Sequence, residues 1–140
     1  MNPFRSLHDY EEFVYTLQQT YPEIVQSTLV VARRGHGMAI LEGELLFAQD
    51  RRLSIYEILT WDIGPLVIQQ YSYESWFGGQ KLYWYDPQPH PNDPTLANNH
   101  PHHKHIPPDI KHNRIPAPDL SFKEPNLHIL IEECVTAVSD

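Results

Sequence analysis

Only one cysteine, Cys134, occurs in the 140 residues, so no internal disulfide can form. No apolar run approaches the roughly 20 residues that a membrane-crossing helix needs. The opening residues, Met1 to Ser6, carry no apolar stretch of the secretory type. These absences together make the cytoplasm the expected location, with no membrane partner. Positive charge is also scarce: 10 Lys and Arg stand against 18 Asp and Glu, a formal net charge of −8. That excludes a general coat for nucleic acid or acidic membrane, because such binding has to neutralise phosphate. A local basic site, or a basic partner, remains compatible with it. With six glycines the chain has no phosphate-cradling loop, and it shows neither a serine nucleophile elbow nor a CxxC pair. What is present is an ordinary apolar share, 41%, and ample aromatics, 11%, enough for an ordered core. The whole chain, 1–140, is expected to be one domain.

Ser6 reads as an N-cap, after which Leu7, Tyr10, Val14 and Leu17 recur at helical spacing until Pro22, predicting a helix over 6–20. From residue 24 the period becomes two. Val25, Leu29 and Val31 fall on one face of a first strand and Thr28 and Val30 on the other. Gly35-His36-Gly37 is the expected hairpin turn, and Gly43 marks a bulge or close approach within a second strand, Met38 to Phe47. Leu53, Ile55, Leu59, Trp61 and Ile63 alternate along a third. Val67, Tyr71, Tyr73 and Phe77 mark a fourth, and Lys81 to Tyr85 a fifth. Short turns between them predict an antiparallel meander over 24–85. Pro125 suits helix position N1, and Leu127, Leu130, Ile131, Cys134, Val135 and Val138 form a helical stripe over 125–138. The predicted class is α+β: an antiparallel sheet of about five strands, a helix at each end of the chain, and a long loop over 86–124.

That loop is where the composition changes abruptly. Ten of the 13 prolines and six of the nine histidines fall between Asp86 and Pro125. Long loops inside compact domains are usually functional or disordered. Three readings fit the segment. In the first, histidines supply acid and base for metal-free phosphodiester cleavage, Lys104, Lys111 and Arg114 bind phosphate, and Tyr83, Trp84 and Tyr85 stack on bases. In the second, the segment binds metal. If the run is extended, His103 and His105 share a face, and Asp86 or His90 completes a site. In the third, it packs over a sheet edge or docks a protein partner without chemistry. Elsewhere, His36 reads as an exposed turn residue and Cys134 as a core thiol. Glu57, Asp62, Glu132 and Glu133 are expected to face solvent.

The order Tyr85-Asp86, Pro89-His90 and Pro101-His102-His103-Lys104-His105, followed by a terminal helix, resembles the TumE-type toxins of bacterial toxin–antitoxin systems. The likeness runs from about Leu66 onward. Pro87 follows the Tyr-Asp pair where the family often has Asn. The resemblance implies a growth-inhibiting toxin with a cognate antitoxin; RNA is the expected substrate by analogy with other small toxins. On that reading the catalytic candidates are Asp86, which orients a histidine, His90, His103 and His105 as acid and base, and Lys104 for the transition state. Tyr85, His102, Lys111 and Arg114 are the substrate-binding candidates. No cofactor or metal ligand is assigned, though a divalent metal is compatible, as is a homodimer. The rivals are a non-enzymatic interaction module and a metal-dependent hydrolase or metal-binding protein.

Overall fold

The computed structural model describes residues 2–62 and 64–139, so the Ile63 expectation lies outside them, as does the side chain of Val138. Ser6 caps the first helix, its Oγ accepting the Asp9 N–H at 3.1 Å. The predicted single helix is two, α1 (Leu7–Tyr15) and α2 (Leu17–Thr20). The break falls at Thr16, whose hydroxyl donates to the Glu12 carbonyl at 2.6 Å and so competes with the backbone ladder. The apolar stripe is as predicted: Leu7, Tyr10, Val14 and Leu17 are all buried.

Eight strands, not about five, form the sheet: β1 (Gln26–Ser27), β2 (Val30–Arg33), β3 (Met38–Leu46), β4 (Arg51–Thr60), β5 (Val67–Phe77), β6 (Gln80–Asp86), β7 (His103–His105) and β8 (Arg114–Pro116). β3 to β8 are neighbours in chain order and antiparallel, the predicted meander; β1 and β2 both pair with the outer side of β3. The expected first strand is interrupted where Gly43, at φ +143°, approaches it closely, while β1 and β2 keep one register on β3. A Cβ at Gly43 would sit 2.5 Å from the Thr28 carbonyl oxygen. Ile24 and Val25 precede β1; Ile24 is buried and Val25, expected inside, is 66% exposed. A second irregularity, between Ile58 and Leu59 of β4, puts Ile68 and Tyr71 on the same buried face.

The other additions are β7 and β8, inside the segment read as loop. His103-Lys104-His105 lacks proline and can donate to a ladder on both sides, whereas Pro116 closes β8 at the sheet edge. The last helix, α3 (Leu127–Ser139), begins two residues later than predicted. Pro125 lies before it, and the buried Asn126 instead offers its carbonyl to the Ile129 N–H.

Tyr10 from α1, Leu127, Leu130, Ile131 and Cys134 from α3, and Leu41, Leu53, Ile55, Tyr71 and Tyr73 from the sheet share one core. The helices thus cover one sheet face, and the opposite face of β4 to β7 is left with half-buried polar and aromatic residues. No helix among the described residues is long and apolar enough to cross a membrane.

Glu57 contradicts its expected position. It alternates with apolar neighbours but lies on the core face, fully buried. Its two carboxyl oxygens each take a phenol hydroxyl at 2.5 Å, one from Tyr10 and one from Tyr73. The Asn126 amide in turn donates to the Tyr73 hydroxyl at 3.1 Å. One buried carboxyl therefore ties α1, the sheet and the start of α3 together. Burial raises its pKa to about 7, against a reference of 4.5, with the two phenols pulling it part of the way back. The folded protein holds a proton that the unfolded chain releases. That stabilisation is fully present below about pH 4.5 and is lost as pH rises to about 7. The melting temperature is expected to fall by several degrees between pH 5 and pH 8, and Glu57→Gln to remove most of that fall. An equal fall in the variant contradicts the assignment.

Candidate functional site

Three adjacent strand pairings build the site. Asp86 of β6 stands opposite His103 of β7, Tyr85 opposite Lys104, and Trp84 opposite His105. Because side chains alternate, Asp86, Trp84, His103 and His105 project from the uncovered face, and Tyr85 and Lys104 from the helix-covered one. β8 continues the pattern, with Arg114 opposite His105 and Ile115 opposite Lys104.

On the uncovered face, His103 Nε2 lies 3.2 Å from Asp86 Oδ1 and His105 Nε2 lies 3.1 Å from Asp86 Oδ2. The two Nε2 atoms are 3.1 Å apart. Each ring's other nitrogen faces a backbone carbonyl, His103 Nδ1 to Pro101 at 3.0 Å and His105 Nδ1 to Ile110 at 2.9 Å. Asp86 is held from outside the cluster by the Trp84 indole N–H at 2.8 Å and the Gln88 N–H at 2.9 Å. The Trp84 ring stacks on His105 at 3.8 Å between centroids. Both imidazoles are buried, and Asp86 keeps its side chain 23% exposed, so the cluster is reached past the carboxylate. Asp86, His103 and His105 form a group able to hold a metal ion.

Burial works against ionisation of Asp86, but the Gln88 and Trp84 N–H groups and the two imidazoles outweigh it and keep the carboxyl below its ordinary value. Burial lowers His105, more than the Asp86 carboxylate and the Ile110 carbonyl raise it. His90, edge-on to His103 at 5.0 Å, is lowered by desolvation and by the Arg114 charge. Arg114 donates from Nη1 to the His90 ring at 3.1 Å, and its buried Nε has no hydrogen-bond partner. No carboxylate among the described residues pairs with it.

The remaining predicted residues divide. Lys104 is on the other face, paired with Glu133 of α3 at 3.0 Å and lying over the Tyr83 ring at 4.2 Å. Glu133, expected in solvent, thus anchors the sheet to α3 and also accepts from the Tyr85 hydroxyl at 3.1 Å. Tyr85 is consequently buried and offers no stacking face. His102 is in the core, its Nδ1 2.6 Å from the Tyr71 hydroxyl and its ring parallel to that of Tyr71. Lys111 is exposed on the turn between β7 and β8. Residues not singled out beforehand extend the uncovered face away from the cluster. Lys81 lies over both Trp84, at 4.6 Å, and Trp76, at 5.3 Å, and Arg52 lies over Trp76 at 4.6 Å. Trp76 and Trp84 alternate with core positions in the sequence, whereas Lys81 reaches this face only through the register shift between β5 and β6 and carries no such signal.

A carboxylate and two imidazoles thus meet at the end of an aromatic sheet face, with a guanidinium that has no carboxylate partner beside them. The chain belongs to the TumE family: residues 13–138 match the model of toxin TumE. Membership makes it a toxin and implies a cognate antitoxin partner. Neither a curated protein nor a solved structure matches the chain.

The position of His102 gives a stability test. His102→Ala leaves the Tyr71 hydroxyl unpaired in the core and is expected to cost about 1–3 kcal/mol, read as a lower urea midpoint. His112→Ala, at an exposed site, is expected to leave the midpoint unchanged. Equal midpoints for the two variants contradict a structural role for His102.

Proposed function

We propose that the toxin arrests growth by cleaving RNA, with Asp86, His103 and His105 as its reactive centre and Arg114 as its phosphate contact. The observation that carries this reading is the Arg114 guanidinium beside the cluster, which pairs with no carboxylate among the described residues and leaves its Nε without a partner. A half-buried guanidinium whose Nε has no hydrogen-bond partner and which meets no carboxylate attracts an anion, and its forked donors suit a phosphodiester. The scissile phosphate then sits between Arg114 and the cluster. The 2′-oxygen loses its proton to a base beside the cluster and bonds to phosphorus, and the 5′-oxygen leaves and takes up a proton. His90, at the rim and held toward its neutral form, is the near group for one of these transfers.

The sheet face supports the same substrate. Trp84 and Trp76 offer rings to unpaired bases, and Arg52 and Lys81 stand among them. The strip places Arg52 and Lys81 locally on a chain of acidic net charge, each beside a carboxylate that an RNA phosphate would have to replace. Its paired carboxylates, Glu44 on Arg52 and Glu74 on Lys81, make binding strongly dependent on salt. Lys104, engaged with Glu133 on the far face, leaves the transition-state role to Arg114. RNA of this kind is met in the cytoplasm.

Induced expression in a bacterial host, scoring growth and total RNA integrity, tests the reading. Wild type is expected to arrest growth and fragment RNA. Arg114→Ala is expected to cut the cleavage rate by about 100-fold. His103→Ala/His105→Ala is expected to abolish both effects, with folding checked by circular dichroism. Arrest with intact RNA rejects the nuclease, and arrest by the folded double variant rejects the site.

A further inference from the structure

We infer that Asp86, His103 and His105 bind one divalent first-row transition-metal ion through the carboxylate and the two Nε2 atoms. The argument starts from a proton count. A carbonyl oxygen can only accept, so each Nδ1 facing Pro101 or Ile110 has to carry a proton. A neutral imidazole has one proton, and it is used there. Both Nε2 atoms then present lone pairs, and they present them to each other at 3.1 Å and to a carboxylate at 3.1–3.2 Å. Four acceptor atoms face inward on a space with no donor of its own.

Protons can relieve this only in part. One imidazolium, neutralised by the carboxylate, can donate to an Asp86 oxygen and to the other ring, but it leaves the second ring–carboxylate contact without a proton; a second imidazolium would set N–H against N–H across 3.1 Å and leave a net positive charge in a poorly solvated place. Moving the proton of either ring from Nδ1 to Nε2 turns a lone pair on the Pro101 or Ile110 carbonyl instead. A single dication relieves all the contacts at once. Metal–nitrogen distances of about 2.0–2.1 Å put neighbouring ligands about 2.9–3.4 Å apart in octahedral or tetrahedral geometry, which brackets the observed 3.1 Å.

The surroundings are those of a metal site. Nδ1–H bonds to backbone carbonyls fix the tautomer and orientation of ligating histidines, and the Trp84 and Gln88 N–H groups hold the carboxylate from behind. Two nitrogens and a carboxylate select zinc, manganese, iron or cobalt over magnesium and calcium, which favour all-oxygen shells. With three protein ligands, positions remain for water or a phosphate oxygen. That is the arrangement of a catalytic metal rather than a closed structural one. The metal's role in cleavage rests on the RNA reading above; its binding rests only on the atoms just described.

The test uses full-length protein without a histidine tag, stripped with chelator and titrated with Zn²⁺ by calorimetry and with Co²⁺ by visible absorption. One equivalent is expected to bind with nitrogen-ligand bands for Co²⁺. Asp86→Asn and His105→Ala are each expected to weaken binding at least 10-fold, whereas His36→Ala/His112→Ala, at exposed positions, is expected to leave it unchanged. Asp86→Asn preserves the size of the side chain and one of its two outer hydrogen bonds, which keeps the test decisive if His105→Ala does not fold. No saturable equivalent in folded wild type, or equal affinity in Asp86→Asn, overturns the site. Stoichiometric metal without RNA cleavage supports the site and rejects the nuclease; RNA cleavage by protein shown to bind no metal does the reverse.

Discussion

The pairing of β7 against β6 decides which side chains can act together. It sets Asp86, Tyr85 and Trp84 beside His103, Lys104 and His105, and the strand period of two then divides each trio between opposite faces. His103 and His105 meet the carboxylate on the uncovered face, while Lys104, between them in sequence, is carried to the Glu133 side. A slip of one residue would put Lys104 and His102 on the uncovered face and bury His103 and His105 against α3. The register is fixed from both sides: by Lys104–Glu133 on the covered face and by the Trp84–His105 stack on the other.

Two buried polar clusters of different character stand on the two faces. Glu57, with Tyr10, Tyr73 and Asn126, has a donor for each oxygen, so it joins helices to sheet with no inward lone pairs left over. Asp86, His103 and His105 have donors only on the outside and acceptors within. Satisfied networks rigidify a core, whereas a cluster whose lone pairs converge awaits a cation. The two clusters thus differ in where their donors lie, inside for Glu57 and outside for Asp86.

Much of this was legible in the sequence. The helical stripes of Tyr10 and Cys134, the close approach at Gly43 and the antiparallel pairing of the central strands follow from periodicity and turn chemistry. The grouping of Asp86, His103 and His105 follows once His103 to His105 is taken as extended. What was hidden depended on tertiary partners. Proline density concealed β7 and β8, because a three-residue strand carries almost no periodic signal and exists through its neighbours. Glu57 looked solvent-facing because its type, not its phase, suggested it; its phase matches that of Ile55 and Leu59, which are core. His102 and Lys104 belong to the same motif as the cluster residues, and only the sheet shows that alternate members serve packing.

The central claim, that the Nε2 atoms of His103 and His105 share one cation with Asp86, is tested most directly by the histidine side-chain nitrogen resonances of ¹⁵N-labelled protein during a zinc titration. The account predicts that Nδ1 of both residues keeps its proton throughout while both Nε2 signals move together, saturating at one equivalent. Nε2 signals that stay in place as zinc is added, or a proton found on Nε2 of either ring in the zinc-saturated protein, would contradict it.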